Sequence, residues 1–199
     1  MRKYLLAAGL LPLLFCGVCS ADDDTPKVEI FGGYSYLHAD TDTTGIVDKF
    51  PEGFNADVTY YLYSVFGGTA DFQYHKKDFG GSQPQANCPV TVVICGEVSF
   101  FNFHVGPRFK ARTGKVEPFA HALFGLSHGS FDPNGGTGKS ENAFSTKLGA
   151  GLDLVPTRHW AIRLAEANFY YSRFKPTFSL NGEDHQNNFT LSTGVVYRF

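Results

Sequence analysis

Residues 188–199 read NFTLSTGVVYRF, and their side chains alternate between two characters along the whole stretch. One set is mainly apolar and the other is small or polar. The two sets are Phe189, Leu191, Thr193, Val195, Tyr197 and Phe199 against Asn188, Thr190, Ser192, Gly194, Val196 and Arg198. Successive side chains of a β-strand point to opposite faces, so this two-residue period predicts a strand between an apolar and a polar environment.

Seven earlier segments share the two-residue period. The clearest is residues 98–112, where Phe101, Phe103, Val105 and Phe109 alternate with Asn102, His104, Arg108 and Lys110. The other six are residues 27–38, 54–62, 70–75, 120–127, 144–154 and 160–174. The sequence therefore predicts eight strands, each with one apolar face.

The segment at 160–174 fits this pattern only if its register changes. In a regular strand Ile162 and Leu164 lie on the same side as Glu166 and Asn168, because they are an even number of residues apart. A strand without a bulge would therefore place an acid on the apolar face. A β-bulge near Ala165 repairs the register, because one extra residue reverses the faces that follow it. With the bulge, one face carries Arg163, Glu166 and Asn168 and the other carries Ala167, Phe169 and Tyr171.

The predicted fold is an all-β, eight-stranded antiparallel up-and-down transmembrane β-barrel. Hydrocarbon cannot satisfy exposed backbone groups, so strands persist in lipid only when every edge is paired. A soluble lipocalin-like barrel is the alternative, but it places apolar residues inside, whereas the charged residues here share the predicted inner face. Short turns near residues 63–66, 113–116 and 156–159 alternate with long loops at 39–53, 77–97, 132–141 and 175–186. This order predicts periplasmic turns, external loops and two periplasmic termini.

Residues 1–21 are predicted to be a secretory signal peptide, and residues 22–199 the barrel domain. Arg2 and Lys3 precede an apolar run, and small residues end it, so cleavage is expected after Ser20 or Ala21. A retained anchor and a lipid-modified cysteine are the alternatives. Pro12 interrupts the run, which is also short for a spanning helix.

Cleavage leaves one cysteine pair, Cys88 and Cys95, which we expect to form a disulfide in an oxidising compartment. The remaining chain has 15 basic and 19 acidic residues, a formal charge of −4. A net negative charge does not favour binding to the phosphates of nucleic acid.

The chain resembles small bacterial outer-membrane barrels of the OmpA-like and OmpX-like type. The stretches that carry the resemblance are the terminal VVYRF, GFNADVTYYL at 53–62, GGTADF at 67–72 and PFAHALFG at 118–125. The resemblance implies a Gram-negative outer membrane, with lipids and lipopolysaccharide around the barrel. It also implies that the insertion machinery recognises Tyr197 and Phe199. No periplasmic domain is expected after Phe199.

The predicted inner face carries a network of both charge signs: Glu29, Asp57, Asp71, Arg108, Lys110, Lys147, Asp153, Arg163 and Glu166, with His104 and His121 nearby. Side chains fill an eight-stranded barrel, so these charges are expected to pair and plug it. A narrow ion-conducting or proton-conducting pore through the same residues is the alternative.

One pair of residues suggests chemistry. His128 and Ser130 are predicted to point outward near the external rim. In an outer-membrane lipid-modifying enzyme, such a pair would act as general base and nucleophile. No acid that could orient the histidine is evident in the sequence. The plainer interpretation is an interfacial polar pair, and no enzyme, cofactor or metal is predicted.

The other candidate motifs are weaker. The histidines scattered among turns and rims are His38, His75, His159 and His185. GGTGK at 135–139 lacks the phosphate-loop pattern.

The leading functional hypothesis is a structural or surface-interaction barrel, because a filled interior leaves the long external loops as the working surface. The apolar run from Val90 to Ile94 between the two cysteines is the most distinctive of these surfaces. Contact with an external ligand there is one hypothesis, and the alternative is that the strands simply extend past the membrane and pair.

Overall fold

The computed structural model describes residues 25–39, 49–50, 52–79, 96–133, 138–173 and 186–199. Eight long strands account for nearly all of them: β1 (Val28–Ala39), β2 (Glu52–Tyr63), β3 (Phe66–Phe79), β4 (Gly96–Lys110), β5 (Val116–Pro133), β6 (Lys139–Leu154), β7 (Trp160–Arg173) and β8 (Gln186–Arg198). A two-residue strand, Lys49–Phe50, pairs with His38 and Leu37 of β1. Within the described ranges, no helix is long and apolar enough to cross a bilayer.

Each long strand pairs antiparallel with its neighbours in the sequence, and β1 pairs with β8 to close the barrel. That closing seam runs from Glu29 opposite Arg198 to Ala39 opposite Asn188. Closure leaves no long strand with a free edge, which removes the unpaired backbone groups that an open sheet would expose. The predicted eight-stranded antiparallel barrel is confirmed.

The two faces of the wall differ as the alternation predicts. In β4, Phe103 is 47% exposed on the outside while the adjacent His104 is 0% exposed on the inside. The outward residues form an apolar band around the barrel, which includes Val58, Val105, Phe124 and Leu148. The inward face also holds some apolar groups, and Phe31, Ala161 and Val196 form a small buried cluster there.

The register change in β7 is confirmed. Leu152 pairs with Ala165 but the next residue of β6, Asp153, pairs with Arg163, so one extra residue lies between the two pairs. The pairing with β8 shifts over the same interval. The bulge buries Glu166 on the same side as Arg163 and keeps its carboxylate out of the apolar band.

The two ends of the barrel differ. The short turns lie at one end, where the backbone nitrogen of Lys27 donates to the carbonyl of Phe199 at 2.8 Å. Toward the other end the strands run further than the alternation predicts, because β5 continues to Pro133 and β6 begins at Lys139. We call this the loop end. The sequence pattern missed these extensions because the outward face of β5 turns polar from His128 onward.

Candidate functional site

The lumen of the barrel is lined by the charged residues that the alternation assigned to it. All nine are at most 2% exposed: Glu29, Asp57, Asp71, Arg108, Lys110, Lys147, Asp153, Arg163 and Glu166. They come from six different strands, so their meeting depends on barrel closure. A buried ion requires a partner, and the geometry of each pair therefore decides what the lumen can do.

Asp57 lies between two arginines near the middle of the lumen. Arg108 donates to both of its carboxylate oxygens, at 2.7 and 3.0 Å. Arg163 donates to Oδ2 of the same carboxylate at 2.7 Å. Two parallel N–H···O bonds from one guanidinium fix its plane, so Asp57 holds Arg108 in one orientation.

Arg163 makes the densest set of contacts. Besides Asp57, its guanidinium donates to Glu166 at 2.6 Å and to Asp153 at 2.9 Å. The rings of Phe31 and Phe119 lie 4.1 and 4.3 Å from its central carbon. Carboxylates and aromatic faces both attract a desolvated cation, so these contacts compensate the loss of its water.

Three inward glycines make room for those rings. A Cβ at Gly33 or Gly194 would touch the ring of Phe31, and one at Gly151 would touch the ring of Phe119. The rings of the two phenylalanines therefore lie close to glycine backbone, inside a lumen that already holds long charged side chains. Parity alone places Phe31 and Phe119 inward, but only the folded barrel shows what they contact.

A second cluster lies toward the turn end. Lys110 donates to Glu29 at 2.6 Å and to Asp153 at 2.7 Å. Three residues of this cluster were missing from the predicted network, Arg112, Glu117 and Arg198. Arg112 donates to Glu29 and Glu117, and Arg198 donates to Glu117 at 3.0 Å. Glu117 and Arg198 share the inward parity of their strands, which was the available signal.

Among the nine predicted network residues, Asp71 and Lys147 lie nearest the loop end. Lys147 donates to Asp71 at 2.9 Å and lies 3.4 Å from Glu166, which links this pair to the central group. Within the described lumen, carboxylates and cations are equal in number. The six carboxylates are Glu29, Asp57, Asp71, Glu117, Asp153 and Glu166, and the six cations are Arg108, Lys110, Arg112, Lys147, Arg163 and Arg198. The formal charges cancel.

Three histidines lie among these groups. His121 bonds Asn168 through Nε2 at 2.9 Å, and His104 bonds Ser145 at 2.7 Å. His75 bonds Ser35 at 3.1 Å and is fully buried, so its predicted place at a rim is wrong. The inward parity it shares with Asp71 and Gln73 explains its position.

Comparison with protein families decides what kind of barrel this is. The model of the outer membrane protein beta-barrel domain matches residues 8–199. The chain belongs to this family. A comparison with curated protein sequences found no match.

Solved structures of other outer-membrane barrels share the fold. Ail, the attachment invasion locus protein of Yersinia pestis, is 26% identical over 88% of this chain and 99% of Ail, with a TM-score of 0.60. Ail in complex with the heparin analogue sucrose octasulfate is 24% identical over the same shares, with a TM-score of 0.59. Neisserial surface protein A is 14% identical over 87% of this chain and 97% of its own, with a TM-score of 0.58.

His128 and Ser130 of this outer-membrane barrel lie on the outward face near the loop end. Nδ1 of His128 bonds Oδ1 of Asn142 at 2.7 Å, so an amide rather than an acid orients the ring. The Ser130 hydroxyl bonds Ser99 at 3.3 Å and donates to Asp132 at 3.5 Å. No hydrogen bond joins His128 to Ser130 in the described part of the chain, so the base does not engage the nucleophile.

The remaining predicted site residues fall into two groups. Tyr197 and Phe199 pack edge to face on the outside, with ring centroids 4.7 Å apart, and Trp160 packs on Tyr197 at the same distance. Cys88 and Cys95, and residues 1–24, lie outside the described residues. Among the described residues, no three His, Cys, Asp or Glu side chains come together to hold a metal ion.

Proposed function

We propose that this outer-membrane barrel is a non-enzymatic surface-interaction protein, with a lumen closed to ions and long loops that contact partners outside the cell. The observation that carries the proposal is the paired charge network across the lumen. Arg163, its three carboxylates and its two flanking phenyl rings occupy the middle of the barrel. An occupied lumen leaves the loop end as the working surface.

The proposed orientation places the short turns and both termini in the periplasm. Outer-membrane barrels place short turns there and longer loops outside. A signal peptide at residues 1–21 would deliver the chain, and the insertion machinery would recognise Tyr197 and Phe199. Lipids and lipopolysaccharide would surround the apolar band, while β5, at 18 residues, is longer than the roughly 9–11 residues a spanning strand needs.

Charge indicates the chemistry of the external partner. The predicted loops at 39–53, 77–97, 132–141 and 175–186 carry ten acidic residues and four lysines, a formal charge of −6. Ail was solved with a polyanion, sucrose octasulfate. A surface this acidic repels such a ligand, so we propose a neutral or cationic partner for the present chain. A Cys88–Cys95 disulfide would restrain the apolar run from Val90 to Ile94, which we propose as a contact surface for that partner.

A conductance measurement tests the closed lumen. Purified protein in planar bilayers is expected to show no discrete conductance steps. Arg108→Ala removes part of the network and should open steps that the wild type lacks, whereas Lys115→Ala, at an exposed turn, should change nothing. Regular steps from the wild type that disappear in Arg108→Ala would establish the pore alternative instead.

Surface labelling tests the orientation. An epitope inserted at Gly136, in a predicted long loop, should be labelled by antibody on intact cells. The same epitope inserted at Gly114, in a short turn, should be labelled only after the outer membrane is opened. The reverse pattern would contradict the proposal.

A lipid assay tests the absence of enzyme activity. Incubation with lipopolysaccharide or phospholipid is expected to release no fatty acid, because Ser130 bonds Ser99 and Asp132 rather than His128. Release that Ser130→Ala abolishes would establish the enzyme alternative.

A further inference from the structure

A narrow recess enters the lumen from the loop end. It is lined by Leu37, Phe100, Asn102, Ser127, Tyr170, Ser172, Asn188 and Thr190, and its space is about 320 Å³ including the open mouth. The floor has room for about one water-sized group, so the recess accepts the end of a molecule rather than a bulky body.

The lining carries hydrogen-bonding groups without a partner. Ser172 is 2% exposed, and its hydroxyl has no hydrogen bond within the described residues. Oδ1 of Asn188 is also buried without a bond there. Thr190 accepts from Asn168 at 3.2 Å, which leaves its own hydroxyl proton available. Buried groups of this kind are normally satisfied, so they indicate a polar occupant.

No residue of the lining is charged. The ammonium of Lys147 lies 5.5 Å from the ring of Tyr170, and it is paired with Asp71 and Glu166. An ion entering the recess would lose hydration without gaining a counter-charge, which costs several kcal/mol. The occupant is therefore neutral.

Apolar surface completes the lining. Leu37, Phe100 and the ring of Tyr170 contribute carbon to the same walls that carry the hydroxyls and amides. The walls can therefore contact the carbon atoms of a ligand, and beside them lie groups that donate and accept hydrogen bonds. A hydroxyl group matches this requirement, because it donates and accepts at one atom.

We infer that the recess binds the hydroxyl-bearing end of a neutral sugar or polyol. Ser172, Asn188 and Thr190 would bond its hydroxyls, and Phe100 and Tyr170 would pack on its carbon skeleton. The inference rests on the proposed function, because it takes the loop end to face the outside. It adds a ligand class and a location within the lumen to that function.

The experiment uses the full-length barrel in a zwitterionic detergent without a sugar headgroup. Ligand binding is followed by amide chemical shifts, with myo-inositol, methyl glucoside, glycinamide and sucrose octasulfate as separate probes. The first two are expected to shift the signals of Ser172 and Asn188. Ser172→Val and Asn188→Leu should each weaken that binding about tenfold, since each leaves a hydroxyl of the probe unpaired.

Ser99→Val is the matched control, because Ser99 lies on the outside of the same end and should leave the affinity unchanged. The slower gel mobility of the unfolded band identifies any variant that fails to fold, and Thr190→Val then replaces it. Shifts from glycinamide or the octasulfate alone would overturn the ligand class. No shift from any probe at its solubility limit, or binding unaffected by all three recess variants, would overturn the site itself. Surface labelling of the loops is independent of this result, so the two proposals fail separately.

Discussion

Arg163 lies against Phe31 in the centre of the barrel, with 4.1 Å between the central guanidinium carbon and the ring centroid. The contact joins β7 to β1, which are not neighbours in the wall. Side chains thus bridge the lumen directly, in addition to the hydrogen bonds that run around it. The stability of the barrel is expected to depend on this internal bridge.

Arg163→Met should therefore destabilise the folded barrel strongly. The substitution keeps a long side chain but removes the cation from Asp57, Asp153 and Glu166, leaving carboxylates buried with fewer partners. Breaking a buried pair in this way costs roughly 3 to 5 kcal/mol. Urea unfolding in micelles, followed by gel mobility, measures the change. Lys115→Met at an exposed turn is the control, and equal unfolding midpoints for the two variants would show that the bridge contributes little.

Two adjacent glycines of β1 should respond in opposite ways to the same substitution. A Cβ at Gly33 would collide with the carbonyl of Thr193 and the ring of Phe31, whereas a Cβ at Gly32 would meet open space on the outside. Gly33→Ala is expected to lower stability by about 1 to 3 kcal/mol, the usual cost of overpacking. Gly32→Ala should be neutral or slightly stabilising. Refolding yield and urea midpoint compare the two variants, and a similar loss in both would contradict the packing argument.

Deleting Ala165 should leave a folded barrel. Arg163 and Glu166 would then be two positions apart, so a strand without a bulge still directs both side chains to the lumen and Leu164 to the lipid-facing side. Deleting Ala150, in the regular part of β6, is the contrasting variant, because it reverses every face that follows it. The folded, heat-modifiable band should remain in the outer-membrane fraction for the first deletion and vanish for the second. Loss of the band without Ala165 would mean that the bulge itself is required.

Phe199→Ala tests the predicted insertion signal. The substitution removes an exposed ring that packs on Tyr197, so the folded barrel should lose little stability in micelles. Insertion in cells should nevertheless fall, and unfolded protein should accumulate in the periplasm. Phe189→Ala, on the same face of β8 but near its loop end, should insert normally. Equal insertion of both variants would remove Phe199 from the signal.

The fold was predictable because alternation reports directly which side of a wall a residue occupies. Even the irregular strand was predictable, since Glu166 conflicts with Leu164 unless a bulge separates them. The contact partners were not predictable, because parity gives a face but not a depth along the lumen. Lys110 and Glu29 are 81 positions apart, and the stagger of the closed barrel brings them together. Arg112 bonds Glu117 across a short turn, but its bond to Glu29, 83 positions away, depends on the same stagger.

The seam between β1 and β8 sets an order of events during assembly. Lys27 reaches Phe199 and Glu29 reaches Arg198 only after the last strand has arrived, so the two ends of the chain meet at the final step. Until then Glu29 lacks its contact with Arg198, which lies 3.3 Å away in the closed barrel. Closing the wall therefore also completes the charge network at the turn end. This ion pair forms only when the ring is complete, so it stabilises the closed barrel and none of the open states before it.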